Sequence, residues 1–103
     1  MSRWPGSPAR YYSQVTAASI TAENTFTDAV DIFGLFNLSI SGTWVGTVTL
    51  QRSFDFGATW VDVTTYTANI QDAGDEPEKL VVYRAGIKTG EYTSGTAVIR
   101  ISQ

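Results

Sequence analysis

The chain reads as an all-β domain: a two-sheet β-sandwich of about seven to eight strands, immunoglobulin-like or jelly-roll, preceded by an extended N-terminal arm. Three observations predict this class. No stretch repeats its apolar residues with the 3.6-residue period of a helix. Phe36, Leu38 and Ile40 alternate with Asn37, Ser39 and Ser41, the period of a half-buried strand. Short apolar runs of this kind are punctuated by Gly, Asn, Asp and Ser along the whole sequence, as in sandwiches of about 100 residues. With 103 residues, 43% of them hydrophobic, the chain has material for one core and no second domain.

The elements follow in order. Residues 1–9 hold Pro5 and Pro8, two of the three prolines, and the isolated aromatic Trp4. Proline cannot complete a sheet ladder, so this segment is expected to be an arm, and residues 10–103 the sandwich. The arm is either a disordered terminus or an anchor in which Trp4, with Tyr11 and Tyr12 behind it, docks on a neighbouring subunit. Residues 11–20 and 26–32 are expected as the first two strands, separated by Thr21-Ala22-Glu23-Asn24, with Phe26, Val30 and Ile32 on one face. After the strand carrying Phe36, Leu38 and Ile40, the tripeptide Ser41-Gly42-Thr43 is expected to turn the chain. On the strand that follows, Trp44, Val48, Leu50 and Phe54 face one way and Val45, Thr47, Thr49, Gln51 and Ser53 the other. Residues 60–66 return it. Residues 72–78, Asp-Ala-Gly-Asp-Glu-Pro-Glu, read as an exposed acidic loop because Gly74 and Pro77 interrupt regular structure. Strands over 79–85 and 97–102 close the domain, joined by a Gly-rich connection over 86–95. Ser-Gly-Thr recurs at Ser94, which reads as turn chemistry used twice.

Composition narrows function. There is no Cys and no His, which removes thiolate and imidazole chemistry, disulfides and most transition-metal sites. The net charge is −3 with scattered Lys and Arg, so no basic stripe marks a nucleic-acid partner. No apolar run approaches the ~20 residues that span a bilayer, and the first residues lack the apolar stretch of a secretory signal. Neither a membrane nor a cofactor is expected as a partner.

Carboxylates are the remaining candidates for chemistry. A glycosidase-like pair at fixed separation is not suggested: Asp28 and Asp31 lie in or beside a strand and the other acids are mostly in loops. Asp72, Asp75, Glu76 and Glu78 invite a test for calcium, but they lack the ordered spacing of a calcium loop, and a solvated charge run that discourages aggregation explains them. Aromatic residues make up 13% of the chain. Tyr11, Tyr12, Tyr83 and Tyr92 are candidates for sugar platforms, against the simpler reading that Phe26, Phe36, Trp44, Phe54 and Trp60 are core and the tyrosines line sheet rims. Asn37-Leu38-Ser39 matches a glycosylation sequon but falls within a strand pattern and is treated as chance.

Ser53-Phe54-Asp55-Phe56-Gly57-Ala58-Thr59-Trp60 spells S-x-D-x-G-x-T-W between two strand-like runs. It resembles the Asp-box of sialidases and related β-proteins. The spacing suits a tight hairpin in which Asp55 accepts hydrogen bonds from its own turn, Gly57 takes positive φ and Trp60 folds back as a clamp. Ser53, Asp55, Gly57, Thr59 and Trp60 are thus expected to be structural, with no catalytic residue among them. Phe56 stands where the commoner box has Gly. One box in 103 residues does not make a propeller, whose blades take about 40 residues each.

Residues 35–53, the octapeptide and residues 83–95 together resemble small β-sandwich proteins encoded by tailed bacteriophages, over roughly residues 33–66 and 80–102. The resemblance implies a virion component without enzymatic activity: a capsid decoration, head-to-tail or tail protein, made in the host cytoplasm and partnered by copies of itself and by capsid or tail subunits. The alternative is a carbohydrate- or receptor-binding module of a tail fibre or secreted enzyme. A soluble adaptor or enzyme inhibitor is a third.

Overall fold

The computed structural model describes residues 14–103. The arm over 1–9 with Trp4, and Tyr11 and Tyr12 at the start of the first expected strand, lie outside the described residues. Among the described residues seven strands form: β1 (Val15–Ile20), β2 (Thr25–Phe26), β3 (Val30–Gly46), β4 (Val48–Ser53), β5 (Val61–Tyr66), β6 (Ile70–Ile87) and β7 (Tyr92–Ser102). All pairings are antiparallel, in the order β1-β7-β3-β6-β4-β5, with β2 also on β6.

The sandwich is made from one continuous sheet rather than two separate ones, because β3 and β6 are long enough to run through both layers. In the first layer β1, β7, β3 and the opening of β6 pair side by side, Phe36 opposite Gly74 and Leu38 opposite Asp72. In the second, the far end of β6 pairs with β4, which pairs with β5. The ladder between β3 and β6 slips where Ile32 faces Val81 but Gly34 faces Glu76, so Pro77, Glu78, Lys79 and Leu80 are extruded there. Such a bulge bends the sheet and lets one strand serve two layers. Leu80 takes φ 63° in it.

Alternation builds the core. Leu38, Ile40, Ile99 and Ile101 of the first layer and Val48, Leu50, Tyr83, Ala85 and Ile87 of the second belong to one buried cluster. Aliphatic side chains of this size contribute about 1.5–3 kcal/mol each when removed from water.

Several expectations fail, each for a physical reason. Residues 72–78 are not a loop: up to Glu76 they pair with β3, and Pro77 falls in the bulge, where no ladder donor is needed. Residues 26–32 are not one strand, because Thr27, Asp28 and Ala29 separate β2 from β3 and Thr27 bonds Ala85 through both N–H and hydroxyl. Ser41-Gly42-Thr43 is not a turn. It lies within β3, and the second Ser-Gly-Thr is its partner on β7, with Thr43 opposite Thr96. Gly42 (φ 96°) presses on the Thr96 carbonyl and Gly95 (φ 85°) on the Thr43 carbonyl, so each glycine admits the other segment's backbone. The chain changes layers at Gly46 instead, where φ is 152°. β6 runs on to Ile87 and β7 begins at Tyr92, so the expected Gly-rich connection shrinks to residues 88–91.

Candidate functional site

The turn after β4 is built by its own side chains. Asp55 accepts the Thr59 N–H at 2.9 Å and the Thr59 hydroxyl at 2.6 Å, while the Ser53 hydroxyl donates to it at 2.6 Å and accepts the Gly57 N–H at 2.8 Å. Hydrogen bonds from Ser53 first and Thr59 next hold the Asp55 carboxyl down at about 2. Asp55 N–H and C=O are used as well, the carbonyl accepting Ala58 N–H at 3.3 Å. The two residues inside that closure, Phe56 and Gly57, have φ of 56° and 92°, the double positive φ of a type I′ hairpin turn. Phe54 and Phe56 point outward, both about half exposed.

Trp60 folds back, but onto a cation rather than into the core. The Arg84 guanidinium lies 4.3 Å from the Trp60 ring and 3.9 Å from the Phe26 ring, sandwiched between them. Its burial lowers its pKa. Arg84 Nε donates to Gln51, Gln51 donates to Asp62, and Lys88 donates to Asp62 at 2.7 Å. Hydrogen bonds from Lys88 and Gln51 depress Asp62. This network covers the outer face of β4, where Gln51 is buried. Of the five aromatics expected in the core, only Phe36 belongs to the fully buried cluster; Trp44 packs against it, and Phe26, Phe54 and Trp60 serve cations instead. The alternation that placed Phe54 inside ends at Ser53, where the chain enters its turn.

The third assembly lies at the open side of the sandwich, between β5 and the opening of β6, the outermost strands of the two layers. Two bonds cross this mouth. At one end the Tyr66 hydroxyl donates to Asp72 at 2.9 Å. At the other, Arg52 donates to Glu76 at 2.8 Å. Glu76, expected to be solvated, is only 1% exposed. It also accepts the Tyr83 hydroxyl at 2.7 Å and the Glu78 N–H at 3.0 Å. The bulge makes this possible, because it brings Tyr83 back alongside Glu76 of the same strand. Burial alone raises the Glu76 pKa, but Tyr83, Glu78 and Arg52 together outweigh it and the carboxyl titrates below its usual range. Tyr66 and Tyr83 are both pushed up to about 12, by burial first and by their carboxylate partners next.

Between these two straps lies a groove of about 270 Å³ with Phe36, Leu38 and Leu50 beneath it. Val63 flanks it on the β5 side and Gly74 on the β6 side, with Asp72 and Asp75 at the rim. Gly74 leaves space that a Cβ would take from the Phe36 ring. Such a volume suits one large side chain; small-molecule sites begin at about 300 Å³.

Sequence reasoning placed the turn residues together and missed this mouth. Asp72 and Glu76 were grouped with Asp75 and Glu78 as one charge run, yet strand alternation sends Asp72 and Glu76 inward and Asp75 outward. Among the described residues no group of three acids comes together to hold a metal ion. Tyr83 is buried and Tyr92 half-buried, its hydroxyl bonded to the Gly95 carbonyl, so neither is a flat exposed platform. Compared with known proteins, the chain matches no family model, no curated protein and no solved structure.

Proposed function

We propose that the protein is a non-enzymatic structural component of a bacteriophage virion, bridging or decorating capsid or tail subunits in a symmetric array. One observation carries the reading: the acids that form networks are committed to holding the scaffold, while large apolar groups stand in water. Asp55, Asp62 and Glu76 each serve the scaffold through several hydrogen bonds. Meanwhile Leu35 (77% exposed), Leu80 (65%) and Phe33 (43%) gather where β3 and β6 cross between layers. Isolated exposed apolar residues are common; a group on a strained bulge and its facing strand is the pattern of a contact surface.

The crossover is stiffened from the chain's far end. Gln103 accepts Phe33 N–H at 3.3 Å and donates to the carbonyls of Phe33 and Leu35, extending the β7 ladder with a side chain. A rigid apolar knob of this sort loses little entropy when a neighbour covers it, and repetition on a lattice converts modest contacts into avidity. The test is negative-stain microscopy of purified protein alone and mixed with particles, beside a variant lacking residues 1–9. Rings or particle-bound density for the full chain, and a folded domain without either for the truncation, are the expected results. A monomer that never associates overturns the proposal, and association unchanged by the truncation overturns the anchoring role of the arm.

A further inference from the structure

We infer that the groove between β5 and the opening of β6 is the receptor for the arm of a second copy of this chain, with Trp4 seated between the Tyr66–Asp72 and Arg52–Glu76 straps. This rests on the reading of the protein as a subunit of a symmetric array, and supplies the joint between subunits.

Charge is the first argument. Residues 1–13 hold Arg3 and Arg10 and no acid, so of the chain's seven cations and ten acids the body keeps five and ten. A basic segment precedes an acidic domain. At the groove the surplus is local: Asp72 and Asp75 stand exposed at its rim, while its one cation, Arg52, is bonded to Glu76. Arg3 immediately precedes Trp4, so an indole in the groove brings a guanidinium to the acidic rim.

Size is the second. Asp72 and Glu76 are four residues apart on one strand, which separates the straps by about 14 Å. The opening admits an indole, whose 150–250 Å² of largely apolar surface would cover Phe36, Leu38 and Leu50. Beside it Val61 and Val63 of β5 stand about half exposed.

Position is compatible with a second copy, and the doubly substituted chain below separates that from insertion into the chain's own groove. The described chain starts at Gln14, whose carbonyl accepts Gln103 N–H at 3.0 Å, and continues into β1, the far edge of the first layer. Three strand spacings, about 14 Å, separate β1 from β6. Donor edge and acceptor mouth therefore lie on opposite sides of the sandwich, a head-to-tail arrangement that gives a ring where the rotation closes and a filament where it does not. Thirteen extended residues span up to about 43 Å, ample for the next subunit.

The chain has no cysteine, so introduced thiols report on this contact alone. Pro5→Cys and Val63→Cys proteins, both keeping Trp4, are mixed under mild oxidation, with Ala17→Cys, on exposed β1, replacing Val63→Cys as the control. The expected result is a disulfide-linked dimer from Pro5→Cys with Val63→Cys, at least fivefold more abundant than with the control, and about tenfold reduced when Asp75→Lys is added. The doubly substituted chain should give a ladder of linked copies. No dimer, equal dimer with the control, or a doubly substituted chain that only closes on itself as a monomer overturns the inference. A truncation that blocks assembly while no cross-link forms would sink this joint and leave the structural role standing.

Discussion

Replacing Glu76 by Ala separates the two descriptions of the acidic segment by several kilocalories. Were Glu76 a solvated member of a loop, the change would fall within about ±0.5 kcal/mol. In the structure it removes three bonds. The Tyr83 hydroxyl, on a side chain 2% exposed, loses a charged acceptor, a loss of about 1.5–3 kcal/mol. The Glu78 N–H loses about 1 kcal/mol more. Arg52 is 34% exposed and recovers water, so its pair counts for at most about 1 kcal/mol. Relief of the carboxylate's own burial returns part of the total, leaving a net loss of about 2–4 kcal/mol. For a domain of this size that lowers the melting temperature by about 10–25 °C. Urea titration followed by tryptophan fluorescence reads the difference, and Tyr83→Phe in a double-mutant cycle isolates the hydroxyl's share. Because folding lowers the Glu76 pKa, its contribution is full above the unfolded value and fades as pH falls through the folded one. The stabilities of the parent and of Glu76→Gln should therefore converge in acid. A loss below about 0.5 kcal/mol for Glu76→Ala at neutral pH would refute the buried strap.

The remaining expectations concern backbone and titration. Phe56→Asn relieves part of the 1–2 kcal/mol that a non-glycine residue pays at positive φ, so it should raise the melting temperature by a few degrees, and a fall would mean the exposed ring matters more. Gly42→Ala should cost at least about 2 kcal/mol in urea titration, and Gly90→Ala about 1 kcal/mol, because both have positive φ but only Gly42 lies against a carbonyl; equal losses would refute that difference. Ultraviolet titration should find Tyr66 and Tyr83 still protonated at pH 11, and stability should fall from about pH 10 to 12 as the unfolded phenols ionise first; Tyr66→Phe and Tyr83→Phe assign the late steps.

What was legible in the sequence was what obeys a local rule. Phe36, Leu38 and Ile40 declare their face by alternation, and all three are buried. The octapeptide places Ser53, Asp55 and Thr59 within reach of one another whatever the surroundings. The strand from Ile70 was illegible because its inward positions, Asp72, Gly74 and Glu76, carry no hydropathy signal. Gly74 is there because the Phe36 ring needs the space across the ladder, and Glu76 because Tyr83 and Arg52 satisfy it. Both reasons lie in other strands. Gly42 misled in the same way: positive φ suggests a turn, but here it serves close approach of β7.

The two straps reconcile stability with an exposed opening. A sandwich left open between its outermost strands would let water onto Phe36, Leu38 and Leu50, while apolar closure would leave no room for a partner's side chain. Polar bonds at the two ends resolve this conflict. Tyr66–Asp72 and Arg52–Glu76 fix the separation of the layers, because each needs its donor and acceptor at hydrogen-bond distance, and leave the stretch between them free. The partners are also unequal in the way this demands. Glu76 and Tyr83 are buried and anchor one end firmly, whereas Asp72 is exposed and its partner Tyr66 only partly covered, so that end yields first. A side chain entering between the two bonds would leave both in place, and the exposed Asp72 carboxylate, which takes the Tyr66 hydroxyl on one oxygen, can also accept the guanidinium that arrives with it.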